Sequence, residues 1–181
     1  MVGKLAEEKM KKTHEIISHL VKIAAEGSPK AYGDYLEIEV LDDAEREMLA
    51  EEMFQLSDEM DEESYSDAGE SIESSEEVIL IGLNDHPPLE LDCRACGYED
   101  CKEFSEAEEE SDIFSGPNCV FRIIDLGLAL GNALNTSRSH GLENGISIRG
   151  GLAAKHLGLI DSRICLAITG DVKKERSYHN P

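Results

Sequence analysis

Apolar and polar residues along the chain alternate between helical and extended periodicities. From Lys4 to Glu26, Leu5, Ile16, Ile17, Leu20, Val21, Ile23 and Ala24 recur at helical spacing among charged residues, and Gly27, Ser28 and Pro29 end the run. This predicts an amphipathic helix. Leu36, Ile38 and Val40 then alternate with Tyr35, Glu37 and Glu39, the period-two signature of a strand with one buried face. Asp42 or Asp43 is placed to cap a second helix running to about Met60, with an apolar stripe of Met48, Leu49, Met53, Leu56 and Met60 expected in the core. VILIGL, from Val78 to Leu83, is continuous and β-branched, which predicts a central strand covered on both faces.

After His86, Pro87 and Pro88 break that strand, the Leu89 to Cys119 segment carries four of the five cysteines among turn residues and acids. Gly116, Pro117 and Asn118 signal a helix start, and a helix is expected from about Cys119 to Ser139. Its Phe121, Ile123, Ile124, Leu126, Leu128, Leu130 and Leu134 lie nearly all round, so it belongs inside the protein or in a subunit interface. Gly127 and Gly131, four apart, allow another backbone to approach, which suits close packing and, more specifically, a dimer seam. Gly141, Asn144 and Gly145 read as a turn, and GISIRGG from Gly145 to Gly151 as a tight turn before a short helix over Gly151 to Leu157. ICLAIT, from Ile164 to Thr169, reads as a third buried strand, and the Asp171 to Pro181 tail as frayed or wrapped on a neighbour. Strands separated by helices predict one α+β layered domain over residues 1–181.

Charge narrows the range of partners. The 181 residues carry 17 Lys and Arg against 39 Asp and Glu, a formal net charge of −22, so a nucleic acid would be repelled. Residues 58–77 hold ten acidic residues and no basic one, and are expected to form an acidic connection or the exposed face of a helix, with disorder around Ser64 to Ser75. A second acidic stretch runs from Glu99 to Asp112. Such a surface suits a high-salt cytoplasm or the steering of a basic redox partner protein. The apolar runs are shorter than the roughly 18 residues of a membrane helix, and residues 1–12 lack a signal-peptide core, so a cytoplasmic protein away from membranes is expected.

Chemistry concentrates in the thiols. Cys93, Cys96, Cys101 and Cys119 form C-x2-C-x4-C-x17-C, and an odd total of five cysteines argues against a secreted disulfide framework. Three thiolates within nine residues can wrap one small inorganic centre, with the fourth arriving from the start of the buried helix, where the helix dipole favours a negative ligand. Gly97 offers backbone freedom and an N–H within reach of a cluster sulfur. Four thiolates suit a 4Fe-4S cluster or a structural zinc, and the spacing, with a single C-x2-C pair, favours iron and sulfur. The neighbouring acids Asp92, Glu99 and Asp100 would lower the cluster's potential, with Arg94 and Arg122 opposing them; otherwise Arg94 is a surface charge and Arg122 an ion pair with Asp125. Cys165 is expected to be a small buried hydrophobe, and the six histidines to be surface or satisfied side chains.

The order of ligands resembles the single four-iron domain of corrinoid iron-sulfur proteins and of electron-transport subunits of anaerobes, C-x2-C-G-x3-C-x2-F with a distant Cys, on which Cys93, Cys96, Gly97, Cys101, Phe104 and Cys119 fall. Over most of the chain, through VILIGL, LDCRACGYEDC, GPNCVFRIIDLGLALGNAL and GLAAKHLGLIDSRICLAITG, the sequence resembles ferredoxin-domain-containing proteins of anaerobic bacteria and methanogenic archaea. That resemblance implies a small cytoplasmic protein with one four-cysteine cluster segment and carries no reaction with it; the four-thiolate motif itself leads to the expectation of a redox protein passing single electrons, with a structural zinc module as the alternative. The C-terminal half is also similar to nitroreductase-like flavoproteins in Leu126 to Leu134, Gly141-Leu142, Leu157-Gly158-Leu159 and Ile164 to Gly170. This second resemblance implies an α+β sandwich, a homodimer and FMN-dependent reduction, although in Ser28-Pro29-Lys30-Ala31-Tyr32 only Lys30 is cationic where a flavin-phosphate motif would be basic.

Overall fold

The computed structural model describes residues 2–111 and 114–172, with no side-chain description at 2–7, 111 and 172; the side chain of Leu5 and the tail beyond Val172 lie outside the described residues. In chain order the elements are α1 (Val2–Glu26), β1 (Leu36–Val40), α2 (Asp43–Met60), α3 (Glu63–Ser74), β2 (Glu77–Leu83), α4 (Cys101–Glu106), β3 (Glu110–Ser111), β4 (Ser115–Gly116), α5 (Val120–Ser139), β5 (Leu142–Ser147), α6 (Ile148–His156) and β6 (Ile164–Val172). The main sheet is antiparallel throughout, in the order β1-β2-β6-β5.

The apolar run of β2 is buried along its whole length because helices cover both faces. Ile79, Ile81 and Leu83 pack with Ile17, Val21 and Ala25 of α1 and with Leu126, Ala129 and Ala133 of α5. The alternate residues Val78 and Leu80 meet Leu49 and Met53 of α2, Ile72 of α3 and Ala153 and Ala154 of α6. Strand alternation thus divides the core into two layers on either side of one sheet, the α+β sandwich that the sequence predicts. At α6 the contact is backbone to backbone: a Cβ added at Gly151 would stand 1.9 Å from the Cys165 carbonyl oxygen, so only glycine lets the helix lie this close to β6.

Local chemistry sets the boundaries. Asp42 accepts a hydrogen bond from the Glu45 N–H while the Glu45 carboxylate accepts one from the Asp42 N–H, a reciprocal cap that starts α2. The stretch 58–77, expected as an acidic connection or the exposed face of a helix with disorder around Ser64 to Ser75, is mostly ordered helix: Tyr65, Gly69 and Ile72 recur at helical spacing and are buried, while Glu63, Asp67, Glu70 and Glu73 of α3 face outward. Three other expectations need correction. Met48 and Met60 stand outside the core while Leu49 and Met53 fill it, because helical rotation carries the ends of that stripe off the buried face. Leu142 to Ser147, read as a turn, pairs with β6 as an edge strand, its glycine and asparagine tolerated because one side has no neighbour. The short helix consequently starts at Ile148, where the Ser147 hydroxyl accepts from the Gly150 N–H. Finally, α5 is buried on one side only: Ile124 and Leu128 are 48% and 43% exposed, and a Cβ at Gly127 or Gly131 would meet nothing within 4 Å.

Candidate functional site

The segment from Asn84 to Cys119 leaves the end of β2, loops outward and returns as the N-cap of α5. Its inner end is held rigidly. His86 is buried; its Nδ1 lies 2.9 Å from the Asn84 carbonyl, which can only accept, so Nδ1 carries the proton and Nε2 accepts from the Cys119 N–H at 3.2 Å. Burial lowers the His86 pKa, outweighing its bond to the Asn84 carbonyl, and keeps the ring neutral in this tautomer. Arg163 binds the preceding residues, donating to Asn118 Oδ1 at 3.3 Å, the Pro117 carbonyl at 3.2 Å and Asp85 Oδ1 at 2.9 Å. The Cys119 thiol is a free, buried sulfhydryl on a backbone fixed from several directions.

A second layer of contacts extends behind His86. Tyr35 meets its ring edge-on at 6.5 Å, and the Arg122 guanidinium stacks over Tyr35 at 4.5 Å. Arg122 is 1% exposed, pairs with Asp125 at 3.6 Å as the sequence suggests, and donates to the Tyr32 carbonyl, while Asp125 accepts from the Ala31 N–H. The start of α5 is therefore tied to residues 31–35. Two donors here are buried without a partner, Arg122 Nε and Ser28 Oγ. Lys30, the one cation of this loop, is engaged by Asp34 at 3.0 Å. Nothing in the residue types around His86 and Tyr35 announces this network; the position of His86 just before two prolines is the nearest thing to a signal.

The outer part of the segment is stitched mainly to itself. Asp92 Oδ1 accepts from the Cys101 N–H at 2.9 Å, Arg94 Nε donates to the Glu99 carbonyl at 3.0 Å, and Asp100 caps α4. Phe104 anchors α4, buried and edge-on to Tyr98 at 5.7 Å. Glu90, Asp92, Arg94 and Gly97 all take positive φ, giving the chain around Cys93 and Cys96 a tight course with repeated left-handed residues. The Gly97 N–H is spent on the Arg94 carbonyl, so it is not free for a sulfur as the sequence reading anticipated.

Cys93 is exposed, and Cys96 and Cys101 are half-buried. All four thiols of the motif are free, a donor set whose chemistry suits iron-sulfur or zinc, and space is open around Gly97. Among the described residues no three His, Cys, Asp or Glu side chains stand together at metal-holding separation, so the four thiols are not gathered round one centre in this structure. Cys165 is apart from them, buried in β6 with its thiol pKa pushed up to about 12 by burial, an inert core residue. Among the described residues no helix is long and apolar enough to cross a membrane.

Known proteins place the chain more firmly. The fold is that of nitroreductases: NfrA1 of B. megaterium is similar with a TM-score of 0.55 at 15% identity over 92% of this chain, and nitroreductase A of Vibrio parahaemolyticus with 0.52 at 14% over 91%. The chain spans 61% of the length of each of those two. A nitroreductase family protein from Clostridium novyi matches 88% of this chain and 76% of its own with a TM-score of 0.51 at 15% identity. In sequence, an Archaeoglobus fulgidus protein described as uncharacterized is 37% identical over 155 residues, covering 85% of this chain and 84% of the relative. Residues 115–180, which include Cys119, match the family model described as "Uncharacterized protein containing a ferredoxin domain (DUF2148)". The chain belongs to this family of ferredoxin-domain proteins, carried on a nitroreductase fold.

Proposed function

We propose that the protein is an iron-sulfur redox protein that passes single electrons through a 4Fe-4S cluster held by Cys93, Cys96, Cys101 and Cys119. The observation that carries this reading is the four-thiol donor set itself, three members on a short loop and one on the fixed N-cap of α5, in a family whose description names a ferredoxin domain. When bound, the cluster supplies one-electron redox chemistry. The chain's part is to bring the loop to Cys119. His86 and Arg163 keep the Cys119 backbone in place, and Asp92 and Phe104 hold the turn that presents Cys101. The carboxylates around the motif and the net charge of −22 favour a low potential and repel anionic partners, which suits a basic redox partner protein.

Anaerobic reconstitution with iron and sulfide tests this. About four irons and four sulfides per chain, with an EPR signal on reduction, support it; a colourless protein holding one zinc makes the thiols a structural staple instead.

A second reading is favoured by the fold and by the two partnerless donors Ser28 Oγ and Arg122 Nε: an FMN-dependent reductase. One neighbour of similar fold is titled NADPH:FMN oxidoreductase from Vibrio harveyi, with a TM-score of 0.51 at 14% identity. Flavin-like absorbance retained through desalting after incubation with FMN supports this reading, and its absence removes it. In either case the outer face of α5, with Ile124, Gly127, Leu128 and Gly131 on one stripe, suits a homodimer seam.

A further inference from the structure

Away from the thiols, the first residue of β2 is an acid set among apolar neighbours. Glu77 is 3% exposed, and neither of its carboxyl oxygens has a hydrogen-bond partner. Strand alternation places its side chain on the face that carries Ile79 and Ile81, toward α1 and α5. The space it fills exists because its partner across the ladder is glycine: a Cβ at Gly170 would stand 3.2 Å from Glu77 Oε2 and 3.3 Å from Leu142 Cδ1. Carboxyl and leucine thus lie side by side over β6, at the corner where α5 is capped by His140 and β5 begins at Leu142. Most walls of this compartment are locked: β2 and β6 each have a strand on both sides, and α1 and α5 pack into the core. The corner is the exception. His140 and Gly141 are exposed, Gly141 turns the chain at a φ of +89°, and β5 has β6 alone as a neighbour, with Leu142 in the outermost pair, opposite Val172. Leu142, 2% exposed, pins this end to the core.

A carboxyl sealed in this way either keeps its proton or draws in water. We propose that Glu77 is a proton-operated latch: protonated, it lies closed beside Leu142, and ionised, it loosens the corner His140–Gly141–Leu142, so that water reaches the carboxylate and the outermost pairs of β5 with β6 part. Burial raises the Glu77 pKa to about 7, with His140 lowering it in part, so the latch works around neutrality. The other charged groups on the surrounding elements are engaged elsewhere. On α5, Arg138 donates to Asn144 Oδ1 at 3.0 Å. On α1, His14 lies 2.6 Å from Glu76, Lys11 pairs with Asp43, and Lys22 stands 3.5 Å from Glu39 of β1, while Arg46 of α2 is held by Asp43 at 3.2 Å. Glu143 of β5 and Asp171 of β6, each one residue along from Leu142 and Gly170, belong to the opposite face of the sheet.

Amide hydrogen exchange of the whole chain at pH 6 and pH 8.5 tests the latch, each rate being divided by that of the unstructured peptide at the same pH. With the carboxyl ionising near 4.5 in the opened corner and near 7 in the closed one, the opened population should rise about tenfold between these pH values, read over residues 141–147. The rise should be the same without urea and in about 1 M urea, because a small opening exposes little surface, and it should vanish in Glu77→Gln. Leu142→Ala, which removes the cover, should bring the Glu77 titration midpoint, followed by carbon-13 NMR of its carboxyl, down from about 7 toward 4.5. No rise, a rise that persists in Glu77→Gln, a corner that exchanges only together with the core of α5 and with its urea dependence, or a Glu77 midpoint unmoved by Leu142→Ala overturns the proposal. The outcome is independent of whether the thiols bind iron.

Discussion

Glu77, on β2, is 3% exposed with no hydrogen-bond partner on either carboxylate oxygen, and this makes one contribution to stability depend on pH. In the unfolded chain its carboxyl titrates near 4.5, and in the folded protein burial raises this to about 7. The folded state thus binds the proton more tightly. The contribution of Glu77 to stability is fully present below pH 4.5, falls as pH rises through 7, and levels off above about 8. The gap between 4.5 and about 7 corresponds to about 3 kcal/mol lost on ionisation, at about 1.4 kcal/mol per pH unit. Replacing Glu77 with Gln keeps the shape of the protonated acid and removes the ionisation. The difference in melting temperature between Glu77→Gln and the parent should accordingly be small at pH 5 and grow to roughly 6–12 °C in the variant's favour at pH 8.5, taking roughly 2–4 °C per kcal/mol for a chain of this size. Differential scanning calorimetry at half-unit pH steps measures it. His86 pulls the other way, since its lowered pKa favours folding above its ordinary 6.5, but it is common to both proteins and cancels in the difference. A difference that stays constant from pH 5 to 8.5, or grows toward acid, would refute the reasoning, because either result means the Glu77 carboxylate is not destabilised by burial.

Other substitutions examine different parts of the fold. Gly151→Ala drives a methyl into the Cys165 carbonyl and should cost about 3 kcal/mol or more, seen as a lowered urea midpoint; an unchanged midpoint would mean α6 does not lie on β6 as described. His86→Leu leaves the buried Cys119 N–H without an acceptor and should cost about 1–3 kcal/mol, whereas His86→Gln, which retains an acceptor, should recover part of it in the same denaturation assay. Under the cluster proposal, Cys119→Ser should lower the iron retained after reconstitution and alter the EPR signal, while Cys165→Ser leaves both unchanged; loss of iron in the Cys165 variant alone would reassign the ligands. Leu128→Glu on the open face of α5 should shift a dimer to monomer in light scattering without loss of helicity, and a chain already monomeric before the change would rule out that seam.

Most of the layered architecture was legible in the hydrophobic pattern because β2 and α1 each have a single dominant periodicity. VILIGL has no polar position to spare, so it can only be a strand covered on both sides. The four-cysteine motif stands out in the sequence for a different reason, that its residue types permit few chemistries, while the structure does not gather its four sulfurs round one centre. What stayed hidden depends on contacts between distant segments. Edge strand β5 is rich in polar and glycine residues and owes its conformation to pairing with β6 rather than to its own propensity. His86, Arg163 and Tyr35 matter through what they touch some 30 to 90 residues away, which no local pattern records. The exposed side of α5 was masked by its nearly uniform apolar composition, which reads the same whether a core or another subunit covers it.

The pairing of β2 with β6 constrains how the molecule is made. Leu83 lies opposite Ile164, so the two middle strands can zip together only after every residue between them has been synthesised. Until then β2 has β1 on one side and an unfilled backbone edge on the other, the kind of surface that seeds aggregation. Pairing between strands so far apart in sequence slows folding relative to local contacts, and the net charge of −22 gives partly made chains mutual repulsion that opposes their sticking to one another.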